Sequence, residues 1–423
     1  MLAHTLTFSS DCEDEFFDQF PSAPAVFLLR GDGEPYVSKT ANLRRRLQRL
    51  LCRPEEHSKR LNLRERVREI EFAQTGSDFE SQFLLYRLLR ENFPKTYAAR
   101  LRLRPAALVK LHLENRYPRA SVTTRLGKLA WGQPPSAVRS SEARLSEDPN
   151  NESAVRSEDS RGRISPDTKN LYYGPFPSRV AAEKFCSDAL DFFKMRRCVD
   201  DLHPDPSFPG CVYSEMKMCL APCYKGCSDE EYGDEVGRVR AFFDTGGESL
   251  SRELATQRQR ASEELAFEEA AAIHTKLEKL KHLQSQLPEI VQPIARLQAI
   301  IVQASAQAGG VELFHFSRAS LASPISFVIE QSGEPQSMES RLQATLKSAT
   351  ANQAQSTAQC SEHLAILNRW YYRSHRTGEI FFADEKGEWP WRRIVRGIGR
   401  AYAGEKTQEP AIFSATQAAE PPS

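Results

Sequence analysis

Apolar and polar residues in the first third of the chain follow short periods that predict alternating strands and helices. The apolar run AVFLLR is followed by the turn-forming segment GDGE and then by PYV, which together predict a β-hairpin. Apolar residues at helical spacing fill the segment from Asp78 to Glu91, and Pro94 ends it. LRLRPAALVKLHL then returns to strand-like alternation. These patterns predict one domain of mixed strands and helices over residues 20–130.

Further segments are distinguished by their composition and period. They are a flexible insertion at 131–169, a cysteine-cluster region at 170–228, a helical hairpin at 229–286, an α+β C-terminal region of unknown role at 287–403 and a disordered tail at 404–423. The insertion is dominated by Pro, Ser, Glu and Arg, which is typical of exposed chain. A Thr-Gly-Gly break divides the helical region, which predicts a hairpin without a sheet. The chain is therefore predicted to be an α/β, or α+β, multidomain protein whose first domain contains a small mixed sheet.

The composition is that of a soluble globular protein, with 40% hydrophobic and 27% charged residues. No apolar run reaches the roughly eighteen residues of a membrane span. The N-terminal sequence MLAHTLTFSSDCEDEFF is acidic, unlike a signal peptide. We therefore expect a cytoplasmic protein with no membrane partner. The net charge is only +1, but eleven Lys or Arg residues accompany four acids between Lys39 and Ile70, and this local basic field favours phosphate ligands.

Five of the nine cysteines lie between Cys198 and Cys227. In a cytoplasmic protein, where disulfides are disfavoured, such clustering indicates metal ligands. Cys198, Cys211, Cys219 and Cys223 follow one another at spacings of thirteen, eight and four residues. Four thiolates suit either Zn²⁺ or an iron–sulfur cluster. The alternative is that they are unliganded and pack as small apolar side chains.

The hairpin and the helix after it resemble a known nuclease domain. AVFLLRGDGEPYVSK resembles the paired strands of the GIY-YIG nucleases, and TANLRRRL resembles the next helix in the branch found in UvrC-type excinuclease subunits. The resemblance implies that Tyr36 helps to activate the attacking water, that Lys39 is the family lysine and that Arg46 contacts the scissile phosphate. It also implies that the helix binds DNA through Arg44, Arg45, Arg46 and Arg49. The alternative is packed strand residues beside a solvated basic helix.

Several positions depart from the family pattern. Phe27 replaces the first-strand tyrosine, Ser38 replaces the glycine of the second strand, and Leu50 stands at the helix tyrosine. Leu85 stands where the family has the glutamate that holds the divalent metal. A leucine cannot coordinate Mg²⁺, which requires oxygen ligands, and Glu80 lies about 140° away round a helix. The resemblance therefore implies a remnant nuclease site in which Mg²⁺ is not expected.

Two further segments extend the resemblance to UvrC-type proteins. NLYYGPFPS and the four cysteines resemble the family's cysteine cluster, which implies a structural iron–sulfur cluster, with zinc as the alternative. LATQRQRASEELAFEEAAAIHTKLEKLKHL resembles the UVR motif, a helical hairpin that docks on UvrB. The implied partner-binding residues are Leu265, Phe267, Glu268, Ala270 and Ala271, with Glu269 beside them. Taken without the resemblance, the segment predicts an ordinary helical hairpin or coiled coil.

The C-terminal region matches the family least. GVELFHFSRASLASPISFVIEQSGEP faintly resembles the start of the family's RNase H-like nuclease domain, with His315 at the catalytic aspartate and Arg318 at the histidine. Only roughly 135 residues follow the UVR segment, too few for that domain and a helix-hairpin-helix module together. We therefore expect a truncated or degenerate UvrC-type member. The hypotheses are an accessory repair protein that binds DNA and UvrB, an active incision subunit, and a cysteine-cluster redox sensor or regulator.

Overall fold

A computed structural model of the chain describes residues 2–53, 61–127, 170–329, 337–349 and 356–404. Contacts divide the chain into two compact units, each with its own buried core. One unit contains the residues up to Ala106 together with those from Leu297 onward, and the other is Ala107–Arg296. The predicted insertion at 131–169 and the predicted tail after Gly404 lie outside the described residues. Among the described helices, none is long and apolar enough to cross a membrane.

The N-terminal part of the first unit is a sheet with helices. Its elements are β1 (His4–Thr7), β2 (Ala25–Gly31), β3 (Tyr36–Thr40), α1 (Leu43–Leu51), β4 (Val67–Gln74), α2 (Asp78–Asn92) and α3 (Tyr97–Leu101). The predicted hairpin and both predicted helices are confirmed. The strand order is β1-β4-β2-β3 and all pairings are antiparallel. The sheet is therefore antiparallel rather than mixed, because β4 runs antiparallel to both of its neighbours, β1 and β2, and β2 runs antiparallel to β3.

Helix α1 covers one face of this sheet. The Asn42 side chain caps it by accepting a hydrogen bond from the Arg45 backbone N–H. Its leucines recur every three to four residues and are buried with Phe27 and Leu29 of β2. Leu50 belongs to this core. Helix α2 also contacts β2 and β3.

The second unit combines a small antiparallel sheet with helices. Its elements are β5 (Ala107–Leu111), β6 (Ala120–Thr123), β7 (Leu171–Phe176), α4 (Arg179–Leu190), α5 (Val212–Glu215), α6 (Asp229–Asp244), α7 (Glu248–Glu263), α8 (Phe267–Ser285) and β8 (Gln292–Pro293). The strand order is β6-β5-β7-β8. β5 lies within the predicted first domain at 20–130, but it pairs with β6 and β7 of this unit. The alternation of apolar and polar residues predicted β5 itself. Which strands it pairs with depends on how distant segments pack, and the sequence pattern does not show this.

The predicted break in the helical region lies between α6 and α7. Gly246 and Gly247 have φ values of 58° and 91°, and such positive values favour glycine. Helices α7 and α8 contact each other and are joined by three residues, so they form a helical hairpin without a sheet. Leu254, Ile273 and Leu277 bury one side of the hairpin in the core of the unit. A helical hairpin is therefore confirmed, but its turn is at residues 264–266 and not at the Gly246–Gly247 break. The predicted segment 229–286 contains the three helices α6, α7 and α8 rather than two arms joined at that break.

The C-terminal part of the chain completes the first unit. Its elements are β9 (Ala299–Ala304), β10 (Gly310–Ser317), β11 (Ser320–Leu321), β12 (Ile325–Val328), α9 (Met338–Ala349), α10 (Thr357–Tyr371), β13 (Glu379–Phe382) and α11 (Trp391–Ala403). The strand order is β11-β10-β9-β13, with β12 also paired to β10. The predicted α+β character is confirmed, and the fold class of the chain is α+β multidomain.

Aromatic side chains join this C-terminal part to α2. The Phe79 ring lies 4.9 Å from the Phe314 ring and 5.1 Å from the Trp370 ring. The Tyr86 and Tyr97 hydroxyls donate to the Glu362 carboxylate at 2.8 and 2.7 Å. One face of α2 is therefore packed against residues more than two hundred positions later in the sequence.

Candidate nucleic-acid-binding site

Two of the predicted catalytic residues are brought together on one face of the first sheet. The Arg46 guanidinium on α1 donates to the Tyr36 hydroxyl on β3 at 2.9 Å. The Phe27 ring is buried 6.1 Å from the Tyr36 ring, and Phe27 pairs with Ser38 across the hairpin. The position of the first-strand tyrosine thus contributes packing and no hydroxyl group.

The other arginines of α1 differ in how they are held. The Arg44 Nε donates to the Phe20 carbonyl at 2.8 Å, and its guanidinium also binds Asp18. Arg45 and Arg49 are exposed and lie one helical turn apart. Of the four predicted DNA-binding arginines, these two are presented most openly to solvent, because Arg44 and Arg46 are half-buried and hydrogen-bonded to other side chains or to backbone.

Lys39 lies apart from the Tyr36–Arg46 pair. Side chains alternate along a strand, so Lys39 and Tyr36, three residues apart, leave opposite faces of β3. The Lys39 ammonium donates to the Asp78 carboxylate at 2.7 Å, and the Arg373 guanidinium binds the same carboxylate. Burial raises the pKa of Asp78, but Lys39 and Arg373 outweigh it and hold that pKa below its usual value. The structure therefore pairs Lys39 with Asp78 and Arg373, not with Tyr36.

The two acidic side chains in the first turn of α2, Asp78 and Glu80, are bound by groups of the protein itself. Leu85 is half-buried, seven residues after Asp78, so the two occupy nearly the same side of the helix. The Glu80 carboxylate accepts a hydrogen bond from the Gly76 backbone N–H at 2.8 Å. Burial, reinforced by the nearby Glu312 carboxylate, raises the pKa of Glu80 to about 7. Across the described residues, no three His, Cys, Asp or Glu side chains lie close enough together to hold a metal ion.

The four predicted cysteine ligands share one neighbourhood in the second unit. All are reduced and half-buried. Burial raises the pKa of the Cys219 thiol to about 11, and the charges of Cys198, Cys223 and Cys211 act in the same direction. Burial also raises the pKa of the Cys227 thiol, and the charges of Glu231, Asp229 and Cys223 act in the same direction. The four thiols are therefore close enough for the charge of one to raise the pKa of another. Among the described residues, no three of them lie within the distance needed to hold a metal ion together.

One hydrogen-bond donor lies beside each of two of these sulfurs. The Arg196 guanidinium lies 3.4 Å from the Cys198 sulfur, and the Ala221 backbone N–H lies 3.3 Å from the Cys219 sulfur. Such donors stabilise thiolates, and thiolate is the form that binds a metal. Helix α4 ends at Leu190, and Cys198 follows it in irregular chain. The donor set fits a soft metal or an iron–sulfur cluster.

The turn of the α7–α8 hairpin presents large apolar side chains to solvent. Leu265 is 70% exposed and Phe267 is 65% exposed. Leu265 has a φ of 60°, which turns the chain sharply between the helices. Ala270 is half-buried against the core, whereas Ala271 is exposed beside the exposed Glu268 and Glu269. The predicted partner-binding residues therefore form an uncovered surface, hereafter the hairpin tip.

The two C-terminal residues compared with a nuclease centre have different surroundings. His315 is buried on β10, where burial lowers its pKa, and its ring lies 5.8 Å from that of Trp389. Arg318 is in the turn after β10 with a φ of 51°.

The sequence motifs did not identify Asp78 and Arg373 as site residues. An acidic residue in the first turn of α2 is a visible signal, but its two cationic partners are not.

Comparisons with known proteins find similarity to UvrC-type proteins. Residues 146–242 match the family model described as UvrC/Cho excinuclease, middle domain. The chain is 28% identical over 279 residues to UvrABC system protein C of Brucella abortus, covering 65% of this chain and 38% of that protein. It is 25% identical over 249 residues to the same protein of Rickettsia bellii, covering 59% and 33%. A shorter stretch of 116 residues is 34% identical to that of Proteus mirabilis, covering 27% of this chain and 19% of the relative.

The chain thus spans 38% and 33% of the first two relatives. No solved structure matches it. These matches confirm that the chain is similar to UvrC-type excinuclease subunits.

Proposed function

We propose that this chain is a UvrC-like nucleotide-excision repair protein that binds DNA and docks on UvrB without cutting DNA at its GIY-YIG-like site. The observation that carries the proposal is the contrast between Arg46 and Leu85. The phosphate-contacting arginine is held by Tyr36 at 2.9 Å, whereas the metal-ligand position is a leucine. Such a protein would act as an accessory or regulatory subunit.

Binding to DNA is supported by the exposed side of α1. Arg45 and Arg49 project into solvent from one helix, so both are available to phosphates. Each phosphate neutralised by a Lys or Arg releases condensed counterions, which makes affinity depend steeply on salt. Arg46 adds a third cation whose orientation is set by the Tyr36 hydroxyl.

Loss of cutting follows from the charge requirement of phosphodiester cleavage. A divalent cation neutralises the charge that develops on the reacting phosphate. Leu85 offers no oxygen ligand, and Asp78, on the same side of α2, is bound by Lys39 and Arg373. The alternative, an active incision subunit, requires a carboxylate from elsewhere to hold the metal.

The cysteine cluster is proposed to hold an iron–sulfur cluster, with zinc as the alternative. Cys198, Cys211, Cys219 and Cys223 would supply four thiolates, and bound iron or zinc would neutralise their negative charge.

The hairpin tip is proposed to bury Leu265 and Phe267 against UvrB. A redox sensor would need no such docking surface, so the exposed tip disfavours the third hypothesis.

The test measures binding and cutting in the same samples. A fluorescently labelled, lesion-bearing duplex is titrated with the full chain, with UvrB and Mg²⁺ or Mn²⁺ present, at several salt concentrations. We expect binding without nicked product. Replacing Arg45 and Arg49 by Ala should weaken binding roughly tenfold and reduce the salt slope by about 2, because two phosphate contacts are lost.

The control variant replaces Arg252 and Arg258, two exposed arginines of α7, by Ala. It removes the same charge from the other unit and should leave affinity unchanged. Equal affinity of the Arg45/Arg49 variant and the wild type would remove α1 from the DNA surface. Nicking that disappears in Tyr36→Phe would establish the active incision subunit instead.

A further inference from the structure

Two cations from distant parts of the chain converge on one carboxylate at the edge of the first sheet. Lys39 comes from β3, the edge strand, and Arg373 lies just after α10. Both bind Asp78, Lys39 to Oδ1 at 2.7 Å and Arg373 to Oδ2. Asp78 stands at the start of α2, where Ser77 caps the helix.

The cluster is open to solvent and carries a net positive charge. The side chains of Lys39, Asp78 and Arg373 are 30%, 51% and 55% exposed. Asp78 is ionised at neutral pH, since its two partners hold its pKa below the ordinary range of an aspartate. Two positive groups therefore share one negative group, and a second anion can reach them.

We propose that Lys39 and Arg373 form a binding site for a DNA backbone phosphate, and that Asp78 occupies this site in the free protein. A guanidinium group matches the oxygens of both carboxylate and phosphate, and an ammonium group binds either one as a point charge. A phosphodiester that enters the site displaces the Asp78 side chain, which is free to turn toward water. This inference rests on the proposed DNA-binding function and adds Arg373, a residue of the C-terminal region, to it.

The position of β3 makes the site compatible with the arginine helix. β3 has its pairing partner β2 on one side only. The strand carries Tyr36, which is bound by Arg46 of α1, on one face and Lys39 on the other. A nucleic-acid strand that follows this edge meets cations from both faces. The C-terminal region then contributes directly to DNA binding through Arg373.

The experiment compares the affinities of single variants for an undamaged duplex by fluorescence anisotropy over a range of salt concentrations. Asp78→Asn should tighten binding roughly two- to fivefold and steepen the salt slope, because the competing charge is removed. Arg373→Ala should weaken binding by a similar factor and reduce the slope by about 1. Arg373→Lys should keep most of the wild-type slope, because it retains the charge.

Asp32→Asn is the matched control for the gain of affinity. The Asp32 carboxylate binds Arg68 at 2.9 Å in the same unit, so this variant makes the same charge change at a pair with one cation. It should leave affinity near that of the wild type. Thermal midpoints of all variants establish that each is folded.

The outcomes separate this inference from the function on which it rests. If the Arg45/Arg49 variant binds as well as the wild type, the proposed DNA surface itself fails. If that variant is weakened while Asp78→Asn matches Asp32→Asn and Arg373→Ala matches the wild type, only the Lys39–Arg373 site is overturned. If Asp78→Asn binds inorganic phosphate more tightly than the wild type but gains no affinity for the duplex, the site belongs to a free anion and not to DNA.

Discussion

The Glu80 carboxylate lies in the first turn of α2 and turns back to accept a hydrogen bond from the Gly76 backbone N–H. Family register alone placed Glu80 and Leu85 on different sides of the helix, and the structure gives Glu80 a structural role at the helix start. Burial and the neighbouring Glu312 raise its pKa to about 7. Because Glu80 is engaged by the Gly76 N–H and lies about 140° round the helix from Leu85, we do not expect it to replace the ligand that Leu85 lacks.

The raised pKa of Glu80 predicts a pH-dependent stability. Between about pH 4.5, the ordinary pKa, and about pH 7, the folded protein retains a proton that the unfolded chain releases. The free energy of unfolding therefore falls as pH rises through this window, by up to roughly 3 kcal/mol. Glu80→Gln keeps an acceptor for Gly76 and should remove this loss, making the variant more stable above pH 7.

Urea unfolding from pH 4 to pH 8 measures the effect as the difference between variant and wild type. Glu91→Gln, an exposed change on the same helix, serves as the control and should follow the wild-type curve. Parallel curves for Glu80→Gln and wild type across this range would show that Glu80 titrates as an ordinary carboxyl group.

At the scale of elements, the helical hairpin shows how local signals and exposure combine. Gly246 and Gly247 end α6 and allow α7 to begin, and a three-residue turn then joins α7 to α8. One side of the hairpin is buried in the core of its unit, whereas the hairpin tip is left uncovered. Large apolar side chains grouped in this way are typical of a binding surface.

The hairpin tip predicts a measurable loss of partner binding. Replacing Leu265 and Phe267 by Ser should weaken binding to UvrB by roughly tenfold or more, because buried apolar anchors dominate interface energy. Both residues are exposed in the free chain, so its thermal midpoint should change little. Isothermal titration calorimetry with purified UvrB measures the affinity.

Val180→Ser is the control for the tip, because Val180 is also 70% exposed but lies on α4. It should leave UvrB binding unchanged. If the Leu265/Phe267 variant binds UvrB as the wild type does, the hairpin is an ordinary structural element and docking must use another surface.

At the scale of the whole molecule, the chain forms two compact units with separate cores. The first unit joins both ends of the described chain, since Phe79 and Tyr86 of α2 pack with residues of β10 and α10. The second unit contains the cysteine cluster and the helical hairpin. Binding of a metal to the cysteines should therefore stabilise one unit and leave the other unaffected.

This arrangement predicts the effect of metal removal. Protein prepared without oxygen should contain iron and absorb broadly near 400 nm, on the order expected for iron–sulfur centres. Differential scanning calorimetry should show two transitions, of which only one moves to lower temperature when the metal is removed or in Cys219→Ser. Cys52→Ser, a half-buried thiol of the first unit, should retain the metal. A colourless, zinc-loaded protein would select the alternative metal, and a metal-free protein would leave the four cysteines as packing residues.

The secondary-structure elements and several of their limits could be predicted from the sequence. The β2–β3 hairpin, the leucines of α1, the limits of α2 and the Gly246–Gly247 break all follow from periods, caps and turn residues within a few positions of one another. The family resemblance placed Tyr36 and Arg46 in one site, and the structure joins them by a hydrogen bond.

Contacts between distant residues were decided only by the tertiary structure. The pairing of β4 with β2, the place of β5 in the second unit, and the meeting of Lys39, Asp78 and Arg373 depend on which surfaces pack together. No local period encodes such a choice, because Asp78 and Arg373 are separated by 295 positions and meet only once the C-terminal helices have packed on α2. Sequence therefore determined the elements and the chemistry of single positions, while packing determined which of those positions share a site.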